Sequence, residues 1–263
     1  MLLLVGMGLN PKRDLPVGSV EALKGCDLVY AENYTNAIPK EAVEAIGKVI
    51  GKNISFLSRG EVEGEKFLVG KAGEKNEKGE EKTIALLVPG DPMIATTHVS
   101  LILAARKSGA RTKVLHASSI LTAAIGESGL QAYKFGKVVT LPYWRENYKP
   151  VSTLETIEQN LARDLHTLVL LDIDEKMGPM DPKEGLRTLL CMADEKKDEK
   201  INPQTHVVVL CRIGYPEQRV LYGSIASILD GHADATPAAI IVPGKLHFLE
   251  QEYLETCAIC CGL

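Results

Sequence analysis

Short apolar runs recur along the chain, each closed by glycine, proline or a small hydroxyl residue and followed by a stretch with helical spacing. Residues 2–5, 27–31, 53–57, 84–88, 111–116, 138–142, 167–173, 207–210 and 239–242 read as strands. Helical spacing falls on 17–24, 39–49, 62–72, 91–108, 152–165, the segment opened by Asp181-Pro182, and 246–258. Most of the strand runs are apolar throughout instead of alternating, the pattern expected where helices cover both faces of a largely parallel sheet. At 263 residues the chain exceeds a usual single domain, and a break after Phe135-Gly136 divides it into two α/β units, 1–136 and 137–263. Ligands of such sheets collect at the carboxyl ends of strands. The turns after Val5, Val88, His116, Leu171 and Leu210 are therefore the candidate binding positions, and a cleft between the units would gather all five.

Among these turns, Val88-Pro89-Gly90-Asp91-Pro92 organises the first half. Proline fixes φ and glycine tolerates positive φ, so Pro89-Gly90 makes a tight turn. Asp91 then stands where a helix N-cap belongs, with Pro92 at the first helical position, and both a helix start and a ligand loop fit this chemistry. Ser119 likewise stands at a helix start, where amides and hydroxyls hold polar ligands. Ser152-Thr-Leu-Glu155 reads as a capping box. The first strand, turn, helix and strand carry Gly6-x-Gly8, with Glu32 ending the second strand as a dinucleotide site would place an acid against ribose. Pro11 occupies the third glycine position, which weakens the nicotinamide-oxidoreductase alternative.

Composition narrows the partners. The net charge is -4 and the 30 basic residues are scattered, so neither nucleic acid nor an anionic membrane is expected. Residues 73–82 hold no apolar side chain and read as a solvated loop. Met1-Leu-Leu-Leu-Val5 lacks the basic flank and cleavage site of a signal peptide, and no apolar run approaches the ~20 residues that span a bilayer. Cys26, Cys191 and Cys211 fall in apolar patterns, as reduced core thiols of a cytoplasmic protein do. The Cys257, Cys260, Cys261 cluster lacks the second ligand pair a zinc site needs, and the last four residues make a poor prenylation box. No metal is expected.

The segments Val5-Gly6-Met7-Gly8-Leu9, Cys26-Asp27-Leu28-Val29-Tyr30-Ala31-Glu32 and Pro89-Gly90-Asp91-Pro92 together resemble the tetrapyrrole methylase superfamily, which uses S-adenosyl-L-methionine. Further segments are similar to the branch that serves diphthamide synthesis: Ala95-Thr96-Thr97-His98, His116-Ala117, Ser119-Ile120, Tyr133-Lys134-Phe135-Gly136, Leu165-His166-Thr167-Leu168, Leu171-Asp172-Ile173 and Pro243-Gly244-Lys245-Leu246-His247. The resemblance implies two α/β/α domains with the cofactor in the cleft between them, in a homodimer. It implies repeated methyl transfer to the amino group of a modified histidine of elongation factor 2. Cofactor contacts are implied at Leu9, Asp91, Ile94, Ser119, Ile120, Leu170 and Ile213. A further contact position, commonly histidine, is Ala238 here, which removes one polar contact. The loop 73–82 is longer than in comparable relatives. Methylation of a tetrapyrrole of the precorrin type is the alternative within the superfamily.

The chemistry agrees with the resemblance. A sulfonium gives up its methyl group in line and departs neutral, so no acid is needed, and orientation alone can supply ~7–11 kcal/mol. The sequence accordingly offers no triad, metal spacing or carboxylate pair. The amine must still lose a proton, for which Asp91, Glu32 or water are candidates, and no catalytic base is assigned. Leu9, Ile94, Leu170 and Ile213 are core-like by type, and His98, His116, His166 and His247 lack ligand spacing.

Overall fold

A computed structural model describes residues 1–32, 34, 38–174 and 176–257. Cys260 and Cys261, and the prenylation reading with them, lie outside the described residues. The chain divides into two compact units, 1–120 and 121–263.

The first unit runs β1 (Leu2–Gly6), α1 (Val17–Lys24), β2 (Leu28–Glu32), α2 (Lys40–Ile50), β3 (Ile54–Leu57), α3 (Arg59–Glu63), α4 (Lys66–Gly73), β4 (Ile84–Val88), α5 (Val99–Lys107) and β5 (Thr112–Leu115). Its sheet has the order β3-β2-β4-β1-β5, with every neighbouring pair parallel. Connections leaving β1 and β2 step toward one edge, and those leaving β3 and β4 step toward the other. Right-handed crossovers then place α1 and α2 on one face and α3 to α5 on the opposite face. Leu23, Val43, Ile46 and Ile50 accordingly pack on Leu3, Val5, Ala85 and Leu87. Val62, Leu68, Ala72 and Leu101 pack on Leu2, Leu4, Ile84, Leu86 and Val88. That two-sided burial is why β1 and β4 carry no polar residue.

The second unit contains α6 (Ile120–Ser128, from its second residue), a short 3-10 helix (Ala132–Lys134), β6 (Val139–Leu141), α7 (Ser152–Leu161), β7 (Thr167–Leu171), β8 (Ile173–Asp174), β9 (Gly178–Pro179), α8 (Pro182–Lys196), β10 (His206–Cys211), β11 (Arg219–Ser224), α9 (Ile225–Asp230), β12 (Ala238–Val242) and α10 (Phe248–Thr256). Its main sheet, β11-β10-β12-β7-β6, is mixed, and only β6 and β7 run parallel. The apolar runs predict a largely parallel sheet here too, and the observed pairing differs. Apolar runs report burial on both faces, not direction: Val169, Val207, Val209 and Ile240 meet Leu186, Leu189 and Ile228, while Leu168, Val208, Leu210 and Ile241 on the other face are equally buried. Residues 121–136 pack with this unit because Gln131 and Lys134 bond to Glu250, and Gly136 N–H donates to the His166 carbonyl at 2.9 Å.

Several local expectations are corrected. The helix read over 62–72 is two helices, broken where Glu65 takes φ 60°. Ser152 caps nothing: α7 starts at Ser152 without a side-chain cap and ends at Leu161, short of a turn in which Asp164 has φ 58°. The run 167–173 is split at Asp172, whose carboxylate binds the amides of Ile173 and Tyr143. Cys191 is exposed on α8, unlike buried Cys26 and Cys211. Asp181 does cap α8, accepting from the amides of Lys183 at 2.7 Å and Glu184 at 3.2 Å. No helix among the described residues is long and apolar enough to cross a membrane.

Candidate functional site

In the first unit, the carboxyl ends of β1, β4 and β5 lie side by side and their loops are laced together. Met7 N–H donates to the Val88 carbonyl at 2.9 Å, and Gly8 and Gly90 exchange both backbone hydrogen bonds, at 3.2 and 2.9 Å. Gly8 has φ 74° and Gly90 φ 64°, a region glycine enters without steric cost. A Cβ on Gly6 would lie 2.6 Å from the Gly90 carbonyl oxygen and 2.8 Å from the Ala117 methyl. The G-x-G pair therefore serves the approach of the protein's own loops. The space over Gly90 stays open, where an added Cβ would meet only the Ser118 carbonyl at 3.9 Å.

Asp91 does not cap the following helix, as its Asp-Pro pattern suggested. Helix α5 begins at Val99, and the intervening residues form turns in which Ala95 takes φ 55°, a value no α-helix contains. The Pro92 carbonyl accepts from Thr96 Oγ1 and from His98 Nδ1, each at 2.9 Å. The Asp91 carboxylate, 6% exposed, instead takes the Met93 amide on Oδ1 at 2.9 Å, with the Ala117 amide (3.2 Å) and His116 Nδ1 (2.8 Å) on Oδ2. It pins the β4 loop to the β5 loop. Ser119 is buried and Ile120 half-buried at the start of α6, Leu9 is half-buried with its amide 3.4 Å from Ser118 Oγ, and Ile94 is exposed. The fold thus brings Leu9, Asp91, Ile94, Ser119 and Ile120 to one edge.

The other three implied contacts gather in the second unit, at one end of its sheet. Leu170 of β7 stands opposite Ala239, and Ala238 stands opposite Cys211, two residues before buried Ile213. The Arg212 amide donates to the Pro237 carbonyl at 2.8 Å and holds this end together.

One feature of the second unit has no sequence expectation behind it. Glu250, 1% exposed, receives Gln131 N–H at 2.8 Å and His166 Nε2 at 3.2 Å on one oxygen, and Lys134 Nζ at 2.6 Å and His247 N–H at 2.7 Å on the other. Burial pushes its carboxyl up, but these donors outweigh burial and hold it at about 2. His166 is fully buried, and burial lowers its value. Its Nδ1 accepts from Gly244 N–H at 3.0 Å, so the ring proton sits on Nε2, facing Glu250. The His247-x-x-Glu250 spacing of a capping box was the available signal, masked because histidine is an unusual cap.

The lining of the first unit's edge fits a ligand with an apolar part: Leu9, Ile94 and Ile120 offer apolar surface, buried Ser119 stands beside them, and the space over Gly90 is clear of side chains. It does not fit a dinucleotide. The Gly8 amide is spent on Gly90, and α1 starts only at Val17, so no helix N-terminus follows the turn to receive a pyrophosphate.

An all-parallel unit with glycine-crossed strand ends, followed by a mixed-sheet unit, is the plan of a two-domain methylase. Residues 1–229 match the tetrapyrrole (corrin/porphyrin) methylases, and the chain belongs to that family. Along nearly its whole length it is 39% identical to a diphthine synthase of Methanothermobacter thermautotrophicus, over 97% of this chain and 94% of that one. It is 38% identical to a diphthine synthase of Methanocaldococcus jannaschii, over 97% and 98%. A crystal structure of a diphthine synthase superposes with a TM-score of 0.84 at 30% identity, over 98% of this chain and 95% of that one. Within the methylases, the chain is a methyltransferase of the diphthine synthase group.

Proposed function

We propose that the chain transfers methyl groups from S-adenosylmethionine to the amino group of the modified histidine of elongation factor 2, as a cytoplasmic homodimer. The full-length likeness to diphthine synthases carries this reading and favours a protein substrate over a tetrapyrrole. S-adenosylmethionine supplies a methyl group on a positively charged sulfur. The chain's residues hold donor and acceptor in line, which in well-oriented systems is worth ~7–11 kcal/mol. Leu9, Ile94 and Ile120 would pack on the donor's apolar parts, Ser119 would bond its polar parts, and Asp91 keeps the loops in register. In the second unit, Leu170, Ile213 and Ala238 are the contact positions the resemblance implies, Ala238 through its backbone.

Mass spectrometry of elongation factor 2 carrying the modified histidine, incubated with enzyme and donor, should find mass gained in methyl steps. Calorimetry with S-adenosylhomocysteine should find binding. Folded protein that binds none would overturn the donor assignment, and binding without methylation would overturn the substrate.

A further inference from the structure

We propose that His116 is the proton acceptor for methyl transfer, with Asp91 as the residue that positions its ring. This rests on the function proposed above. Because a carboxylate only accepts, the 2.8 Å contact fixes the His116 proton on Nδ1 and leaves Nε2 a lone pair without a partner among the described residues. The side chain is 69% exposed, three residues before Ser119, while the carboxylate behind it is 6% exposed. A buried acid behind an exposed imidazole is the arrangement that orients a general base.

The neighbouring groups are committed elsewhere. His98 is 2% exposed, donates from Nδ1 to the Pro92 carbonyl and takes the Tyr34 hydroxyl on Nε2 at 3.3 Å. Glu32 is fully buried and accepts the Tyr34 amide. Asp14 accepts the Asn10 amide at 2.8 Å, and Asp91 is engaged by three donors. Of the two imidazoles at this edge, both ring nitrogens of His98 are engaged, and His116 is the one that keeps an unengaged nitrogen with access to water.

The reaction itself calls for that access. Nε2 takes a proton from the substrate ammonium. The freed lone pair forms the N–CH3 bond as the S–CH3 bond breaks, the bonding electrons stay on sulfur, and S-adenosylhomocysteine leaves neutral. Each methylation releases one proton, so a base serving successive methylations must return its proton to water each time. An exposed imidazole does this and an enclosed carboxylate does not.

The test compares wild type, His116→Asn and His116→Ala on elongation factor 2 carrying the modified histidine, measuring kcat and calorimetric affinity for S-adenosylhomocysteine. Asparagine can still donate to Asp91 but cannot accept the proton. Both variants should keep affinity within about threefold while kcat falls about 100-fold or more, and added imidazole should return at least tenfold to His116→Ala. Asp91→Asn should lower kcat by a larger factor than it lowers affinity. His116→Asn at wild-type kcat would overturn the proposal and leave the function standing, as would affinity lost in step with kcat or no rescue. A wild type that binds S-adenosylhomocysteine yet methylates nothing would overturn the function, and the proposal with it.

Discussion

Replacing Glu250 with glutamine should destabilise the second unit by about 3 kcal/mol at neutral pH. Four donors converge on two carboxylate oxygens that are 1% exposed, and a glutamine offers only one acceptor oxygen to them. Whichever way the amide is turned, two donors lose their partner, and removing one partner of a buried ion pair costs ~3–5 kcal/mol. Linkage reaches a similar figure independently. A carboxyl held at about 2 in the folded chain, against an ordinary 4.5, contributes on the order of 3 kcal/mol. Because the folded value lies below the unfolded one, this contribution is complete above 4.5 and vanishes as pH falls through about 2. The chain's single tryptophan, Trp144, packs on the second unit's core, so its fluorescence in urea reports this unit. The wild-type advantage should shrink by about 1 kcal/mol or more between neutral pH and about pH 3.5. A loss below about 1 kcal/mol at neutral pH, or an advantage that does not change with pH, would refute the reasoning.

Three further substitutions probe the first unit and its contrast with the second. Asp91→Ala removes the bonds that join the β4 and β5 loops and should lower S-adenosylhomocysteine affinity about tenfold or more, ~1.4 kcal/mol; unchanged calorimetric affinity in folded protein would leave Asp91 a purely structural role. Asp181→Ala should cost about 1 kcal/mol of stability in urea and leave that affinity untouched. Gly8→Ala places an alanine at φ 74° with its Cβ against the Asp14 Cβ and 2.9 Å from Ser118 Oγ, which should cost at least ~2 kcal/mol in thermal unfolding and weaken donor binding.

What was legible in the sequence is what burial writes locally. Strands β1 and β4 are packed from both sides, so their composition alone announced them. Strand β11 escaped because it is an edge strand: Arg219 is exposed, Val220, Leu221, Gly223 and Ser224 are half-buried, and only Tyr222 is buried. Sheet direction in the second unit was invisible because Val207, Val208 and Val209 would be equally buried in either orientation. The pairings that define the sites are long-range. His116 stands 25 residues from Asp91, and Lys134 stands 116 from Glu250. No periodicity joins positions so far apart, and only the resemblance singled out Leu170, Ile213 and Ala238.

The two Asp-Pro dipeptides show where local chemistry stops deciding. Both have an extended-compatible acid before a proline suited to a first helical position, and by propensity they are equivalent. At Asp181 the backbone continues into α8, so the carboxylate has orphan amides to accept two and three residues on. At Asp91 the β1 loop is already bonded to Gly90, and the β5 loop presents the Ala117 amide and the His116 ring within reach. A carboxylate offered those donors gains charge-assisted bonds to a second loop, and the chain leaves helical geometry until Val99. The energy an N-cap would have contributed to α5 contributes instead to the register of three strand ends, and it is that register which leaves His116 held from behind and open in front.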